Sequence, residues 1–562
     1  MSTRSRPRPA AADVVVVGGG FAGSILARIL ALGGRRVVLV DAARQPRFAL
    51  GESTTPLGNL ALERLGRRRG LEDLFALSSY GRWLRALPHL RRGLKRGFTF
   101  RAHRRGEPWR DDPARRLLVA ASPNDEVADT HWLRAEVDHH LLRRAAAVGV
   151  EVREATTVDG VSIGDGGVRL RLVSGGHGGR SGEHSGRSGE LGGGGRETLR
   201  AGCVVDAAGG AVARRLGVGE APVPVASALL ATHLEGVPER TALPSDGSGD
   251  GLGGQGAIVG APYPEEAAAV HDLADWGWVY QLPFDRVGDR GRRSVGLLVE
   301  HRDGVDLERL GEDPAAAVAG LVEPYPSLRR QLSAGRPLRP WLFAPRIQRK
   351  LMRAAGERWL ALPGAYAFTD PLFSTGIAWS LVGVERLAAS SADGEALGGG
   401  FDRALAEPAA WHAQLAREAD HIERLVAVAY AGFGAFDLFA GAASIYFAGA
   451  SFGEMRARLG VAEDAGLRPA YGFLGAGDPV IDSALELAED SLASGTNPER
   501  LRRQLIACLE ARDIVGLDAP AASNLYPADL RISLERAARL GVTAADLAAV
   551  LPPVGSHLQE TQ

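Results

Sequence analysis

Gly18, Gly20 and Gly23 form a GxGxxG turn directly after the apolar run DVVVV at 13–17. The first glycine of such a turn permits the tight bend. The second lets a pyrophosphate approach the backbone, and the third lets helix and strand pack closely. Phe21 and Ala22 open the following helical run, so their N–H groups face the phosphates at its positive end. Asp41 ends the next apolar run, where a carboxylate can accept hydrogen bonds from a ribose. Strand, turn, helix, strand and acid together predict a dinucleotide site. They do not separate a flavin nucleotide from a nicotinamide one.

Three further groups could do chemistry. Ser374, Thr375 and Gly376 precede an apolar helical run, Ile377 to Leu387. The N–H groups of Thr375 and Gly376 would point outward at a helix N-terminus, where an anion is favoured. Gly51, Glu52, Ser53 and Thr54 spell GEST, with Pro56 following; the same residues suit a helix start. Among 66 basic residues only Lys95 and Lys350 are lysines. A surface cation in this chain is nearly always written as arginine, so a lone lysine points to work a guanidinium does poorly. An ammonium is a compact donor whose pKa falls when it is desolvated. Lys350 lies between Arg349 and Arg353 and reads as a solvated helix face.

Short β-branched runs at 13–17 and 36–41 predict buried parallel strands, with a helix over Phe21–Leu32 between them. A second helix is expected over 132–148, then strands at 150–155, 167–173 and 197–206. Residues 174–195 are nearly all Gly, Ser, Arg, His and Glu and are expected to form a flexible hairpin tip. A second Gly-rich loop covers 246–257. Strands dominate to about residue 300, and helices from about 376 to the end. The 562 residues are too many for one core. Hydrophobic residues make up 45%, charged residues 24%, and the net charge is -1. That balance offers no basic field for nucleic acid. Cys203 and Cys508, the two cysteines, suggest neither a disulfide framework nor a metal site and fit a reducing cytoplasm. The apolar stretch 425–450 is broken by glycines and Asp437, which argues against a stable membrane span. Trp379, Trp411 and the aromatic-rich segment 430–452 read as core packing, with pocket lining as the alternative.

Two segments resemble FAD-dependent monooxygenases of the hydroxybenzoate-hydroxylase fold. They are DTHWLRAEVD at 129–138, containing Arg134, and VVDAAGG at 204–210, containing Asp206. Four more narrow the resemblance to the flavin-dependent halogenases: GEST, Lys95 within LKRGFTF, GWVYQLP at 277–283 with SVG at 294–296, and DPLFSTG at 370–376. The resemblance covers about residues 13–400. It implies an α/β chain with a Rossmann-type FAD-binding domain, an inserted antiparallel β-sheet substrate domain and a mostly helical C-terminal region. The implied ranges are 13–215 and 346–400 for FAD binding, 216–345 for the β-rich domain and 401–562 for the helical one.

The resemblance also implies roles. FAD would arrive reduced from a separate flavin reductase and, with dioxygen and chloride or bromide, give hypohalous acid. Lys95 would relay the halogen to an electron-rich aromatic substrate, free or carrier-tethered. Gly51, Glu52, Ser53, Thr54, Arg134, Asp206, Asp370, Gly376 and Ile377 would surround the flavin. Ser374, Thr375 and Gly376 would hold the halide. Trp278, Tyr280, Pro283 and Phe373 would line the substrate pocket.

The chain departs from the family pattern in three places. Tyr280 stands for the second tryptophan of GWxWxIP, with Leu282 for isoleucine. Phe373 stands where tryptophan halogenases carry glutamate, which argues against free tryptophan as substrate. Pro363 and Gly364 stand where a Gly-Asp pair would bind the ribityl chain, which fits a loosely held, exchangeable flavin. Two alternatives therefore stand beside the halogenase: a monooxygenase that hydroxylates or epoxidises directly, and a non-catalytic flavin-binding relative. An enclosed Lys95 would favour the halogenase and a surface Lys95 would not.

Overall fold

The computed structural model describes residues 12–175, 195–238, 258–284, 291–302, 304–389, 398–460, 471–518 and 523–551. The expected hairpin tip at 176–194 and the Gly-rich loop 246–257 lie outside the described residues.

The protein is α/β. Its first sheet runs, in spatial order, through Ala355–Gly356, Trp359–Ala361, Arg196–Asp206, Ala12–Val17, Val37–Val40 and Glu151–Arg153. The last five are parallel neighbours. Ala12–Val17 and Val37–Val40, inside this sheet, are almost wholly buried and read as continuous apolar, valine-rich runs for that reason. The helix Phe21–Leu32 connects the first two in sequence and covers one face. Gly167–Ser174 and Arg196–Asp206 pair antiparallel on either side of 176–194, with Val173 opposite Arg196. Trp359–Ala361 returns to this sheet after a long excursion, pairing parallel with Arg196–Asp206.

The excursion builds a nine-stranded, mainly antiparallel sheet around Ser227–Glu235, Ala268–Ala274, Gly277–Pro283 and Arg293–Glu300. This sheet extends beyond the expected range 216–345. It takes in Gly97–Ala102 and Arg116–Ala120 from upstream and Leu525–Tyr526 from the C-terminal region. The strand after Lys95 thus anchors the lysine to this sheet.

The C-terminal region is helical, with Pro408–Ala431 and Phe436–Arg458 as its long members. Among the described residues no helix is long and apolar enough to cross a membrane. Trp411 donates its indole N–H to the Ala361 carbonyl at 3.1 Å and Trp379 to Glu418 at 2.7 Å. Both are buried, so they fasten the helix Pro408–Ala431 to the first sheet and to the helix Thr375–Ala388. Lys350, expected on a helix face, lies in the strand Arg349–Leu351. Its ammonium bridges Asp420 at 2.7 Å and Glu423 at 2.6 Å. The flanking arginines suggested solvation; the partners that bury it come from a helix some 70 residues away.

Candidate active site

The glycine turn comes first in the chain and in the geometry. Gly18 has φ of +116°, and a Cβ there would stand 2.5 Å from the Ala207 carbonyl oxygen. At Gly23 a Cβ would stand 2.0 Å from the Gly18 carbonyl oxygen. Gly20 differs: a Cβ would meet nothing nearer than 3.7 Å. Two glycines are therefore needed by the protein itself, and the middle one leaves room for a ligand. Asp41 Oδ2 accepts from the Gly19 N–H at 2.8 Å and Oδ1 from the Ala43 N–H at 2.9 Å. Phe21 lies beneath the Arg134 guanidinium, 4.7 Å from the ring centroid, and the half-buried Ala22 follows it into the helix.

Arg134 ties this turn to GEST. It grips Asp138 through two parallel bonds of 2.8 Å and donates to the carbonyls of Leu50 and Gly51 at 2.8 and 2.9 Å. Beyond Gly51 the GEST residues run as a strap along the strand Asp129–Trp132. Trp132 N–H donates to the Glu52 carbonyl, Ser53 bridges His131, and Thr54 exchanges backbone and hydroxyl bonds with Thr130. The Glu52 carboxylate lies 3.0 Å from His233 Nε2, and both are buried. Pro56 then starts a helix, Pro56–Arg69, that packs on the helix Thr375–Ala388 at Gly58 and Ala378.

The other edge of Asp129–Trp132 pairs antiparallel with Arg92–Lys95, and Lys95 stands opposite Asp129. Lys95 is 0% exposed. Its ammonium donates to the Thr54 carbonyl at 2.6 Å and lies 4.0 Å from the centroid of the Phe98 ring. Burial pushes the lysine down to about 7, with the Asp129 charge opposing. His131 and His271 are pushed down to about 3 by burial first and by Lys95 second. Two neutral imidazoles therefore flank the ammonium, and the Nδ1 of each is buried without a hydrogen-bond partner.

Phe98 also lines an apolar cavity of about 90 Å³, together with Val119, Tyr446, Phe447, Leu517 and Tyr526. Phe373 is fully buried beside it, stacked on Tyr446 with centroids 4.6 Å apart and planes 12° apart. The segment 430–452 thus does both jobs weighed for it: Phe439 packs on Phe100 in the core, while Tyr446 and Phe447 face the cavity.

DPLFSTG delivers the helix N-terminus. Ser374 is left-handed, with φ of 53° and ψ of 35°. Gly376 is exposed, and a Cβ there would meet no atom within 4 Å. Ile377 is buried under it. The first N–H groups of a helix have no intrahelical acceptor. The Thr375 hydroxyl is buried without a partner, and so is the Ser53 hydroxyl in GEST. An open middle glycine, two unsatisfied hydroxyls and an open helix N-terminus fit a dinucleotide whose ring end meets polar donors.

Asp206 and Asp370 have their carboxylates occupied by protein donors, which gives them shaping roles. Asp206 accepts from the N–H groups of Ala208, Gly210, Val212 and Ala213 at 2.7 to 3.2 Å. Asp370 accepts from Ser227, Gln348, Tyr430 and the Leu372 N–H, and burial pushes it up to about 6. Tyr430 also accepts the Trp278 indole N–H at 3.0 Å. GWVYQLP, DPLFSTG and a C-terminal helix are thereby joined at one hydroxyl. Tyr280 lies with its ring against Gly296 of the neighbouring strand, and Pro283 ends its own strand opposite Arg293. Gly364, at the expected ribityl position, receives a 3.1 Å bond from Arg349 on its carbonyl.

Sequence reasoning missed Asp129, His131, His271, Tyr430 and Arg349. Asp129 and His131 fell inside a quoted segment, but pairing register gives them their place. Tyr430 opens the aromatic-rich segment 430–452, but its partners Trp278 and Asp370 are distant in sequence; His271 and Arg349 carry no local motif.

No family model matches the chain. The tetracycline 7-halogenase of Kitasatospora aureofaciens is 30% identical over 381 residues, covering 67% of this chain and 62% of that protein. The monodechloroaminopyrrolnitrin halogenase PrnC of Pseudomonas fluorescens is 25% identical over 385 residues, covering 67% and 61%. The chain thus spans about three fifths of the length of these two curated relatives. The crystal structure of halogenase PltM superposes with a TM-score of 0.73 at 21% identity, covering 92% of this chain and 99% of that one. That likeness is one of fold.

Proposed function

We propose that the chain is a divergent member of the flavin-dependent halogenase family, an FAD-dependent oxidoreductase that halogenates an electron-rich aromatic substrate. Reduced flavin bound at the glycine turn, with dioxygen and chloride or bromide, supplies hypohalous acid. A separate flavin reductase would supply the flavin in its reduced form. The solved relative PltM has been crystallised with phloroglucinol and FAD, a phenolic ring and the same cofactor.

The observation that carries this reading is the enclosure of Lys95. One of two lysines in the chain is fully buried, hydrogen-bonded to the strap and set against a ring that lines an apolar cavity. Lys95 holds hypohalous acid by a hydrogen bond from its ammonium. The halogen passes to an aromatic carbon, the carbon–hydrogen bond breaks, and that proton leaves with the hydroxide as water. Phe98, Tyr446 and Phe447 orient the ring and exclude water. Low polarity strengthens the ammonium's hydrogen bond. Thr375, Ser374 and Gly376 hold the halide at the helix N-terminus.

The test is a coupled assay with FAD, a flavin reductase, NADH and bromide on a panel of phenols, indoles and pyrroles. Mass spectrometry should find brominated products. Products that gain oxygen and never halogen would favour the monooxygenase instead.

A further inference from the structure

Asp129 stands opposite Lys95 in the antiparallel ladder. Residues so opposed project to the same face, with Cβ atoms about 5 Å apart. Asp129 is 1% exposed. One carboxylate oxygen accepts from Asn59 at 2.8 Å, and the other, Oδ2, is buried with no hydrogen-bond partner. A buried carboxylate left half-satisfied is expensive. A polar cleft of about 530 Å³ reaches Asp129, lined also by Asn59, Glu63, Arg82, Glu454 and Arg458. The enclosed lysine is not among the residues that line this cleft, whereas Asp129, opposite it in the ladder, is.

We propose that Asp129 is the positioning residue for Lys95: its carboxylate sustains the charge of the buried ammonium and exchanges the lysine's proton with solvent through the polar cleft. The inference rests on the reading of Lys95 as the halogen-transfer group. Burial pushes Asp129 up to about 7, with Lys95 opposing, as it pushes Lys95 down to about 7. A proton passes most readily between groups so matched. Other groups face the pair from the elements around it. His131 on the same strand and His271 on the adjoining strand Ala268–Ala274 are held neutral. Tyr446 on the helix Phe436–Arg458 is pushed above its ordinary value by burial. On the same helix Glu454 and Arg458 pair at 2.8 Å and act on Asp129 with opposite signs.

The chain's two lysines make the test clean. Protein grown on lysine labelled with ¹³C at Cε gives one signal from Lys95 and one from Lys350, which serves as internal reference. In the native protein the Lys95 signal titrates near pH 7. In Asp129→Asn its midpoint falls by about one unit or more while the Lys350 signal stays, and the pH profile of halogenation shifts to acid with it. Asp129→Glu restores the midpoint. Asn59→Leu removes the donor that favours the carboxylate and moves the midpoint the same way by less, which keeps the test open if Asp129→Asn does not fold. A Lys95 midpoint unmoved in a folded variant overturns the proposal. A moved midpoint in a protein that never halogenates supports the pairing and counts against the halogenase reading alone.

Discussion

The Lys95 ammonium donates its 2.6 Å hydrogen bond to the main-chain carbonyl of Thr54, so the lysine and the GEST strap share a position. Arg134 holds the other end of that strap at Leu50 and Gly51, beside the glycine turn. A main-chain acceptor does not depend on any side chain at position 54. What the strap must keep is its path, fixed by the ladder to Asp129–Trp132. Four outcomes follow from this arrangement and from the groups around it.

Gly20→Val should separate binding from folding. The backbone at Gly20 is extended, with φ of -72° and ψ of 176°, and protein atoms leave space for a side chain. Thermal stability of the flavin-free protein should stay within about 0.5 kcal/mol of wild type. Flavin affinity by fluorescence titration should fall by about tenfold or more, because a side chain there occupies the pyrophosphate's path. Retained affinity would place the phosphates elsewhere.

Thr375→Val removes a buried hydroxyl that no protein group satisfies. The flavin-free protein should be as stable as wild type or about 1 kcal/mol more so. The KM for bromide or chloride should rise about tenfold, the equivalent of one lost hydrogen bond of about 1.4 kcal/mol. An unchanged halide KM would remove this hydroxyl from the halide site.

The pH profile has a definite sign. Lysine ordinarily titrates at 10.5, and burial lowers Lys95 to about 7. The ammonium is present below that value and lost above it. Halogenation should fall as pH rises through about 7, while flavin reoxidation should not follow. Between about 7 and 10.5 the unfolded chain binds a proton that the folded chain lacks, so Lys95 contributes a rise in stability with pH over that window. An inflection near 10 would mean a lysine in contact with water.

Tyr430→Phe deletes the hydroxyl that joins Trp278 to Asp370. The indole N–H loses its acceptor, and stability should drop by about 1–3 kcal/mol. The Asp370 carboxylate loses a donor and should titrate above its present value of about 6. Chemical denaturation and ¹³C-aspartate titration read the two effects separately.

These residues also show what one sequence can disclose. The glycine turn was legible because strand, turn, helix and acid follow one another in the sequence, although the contact that requires Gly18 comes from Ala207. Lys95 was legible because arginine usage made it conspicuous. The helix start at Ser374 was legible from local composition. Asp129, His271 and Tyr430 were not, because antiparallel register or tertiary contact defines them. Trp278 meets Tyr430 across 152 residues and Glu52 meets His233 across 181. The strands Gly97–Ala102 and Leu525–Tyr526 escaped assignment to the substrate sheet for the same reason: strand patterns do not name their partners.

If the enclosed lysine transfers halogen, Lys95→Ala must lose that transfer and nothing before it. NADH consumption and product mass are followed together in the presence of reductase, FAD, bromide and an accepted phenol. Flavin reoxidation should continue at the wild-type rate while brominated product falls by about 100-fold or more. Brominated product at wild-type yield from a folded Lys95→Ala protein would contradict the account.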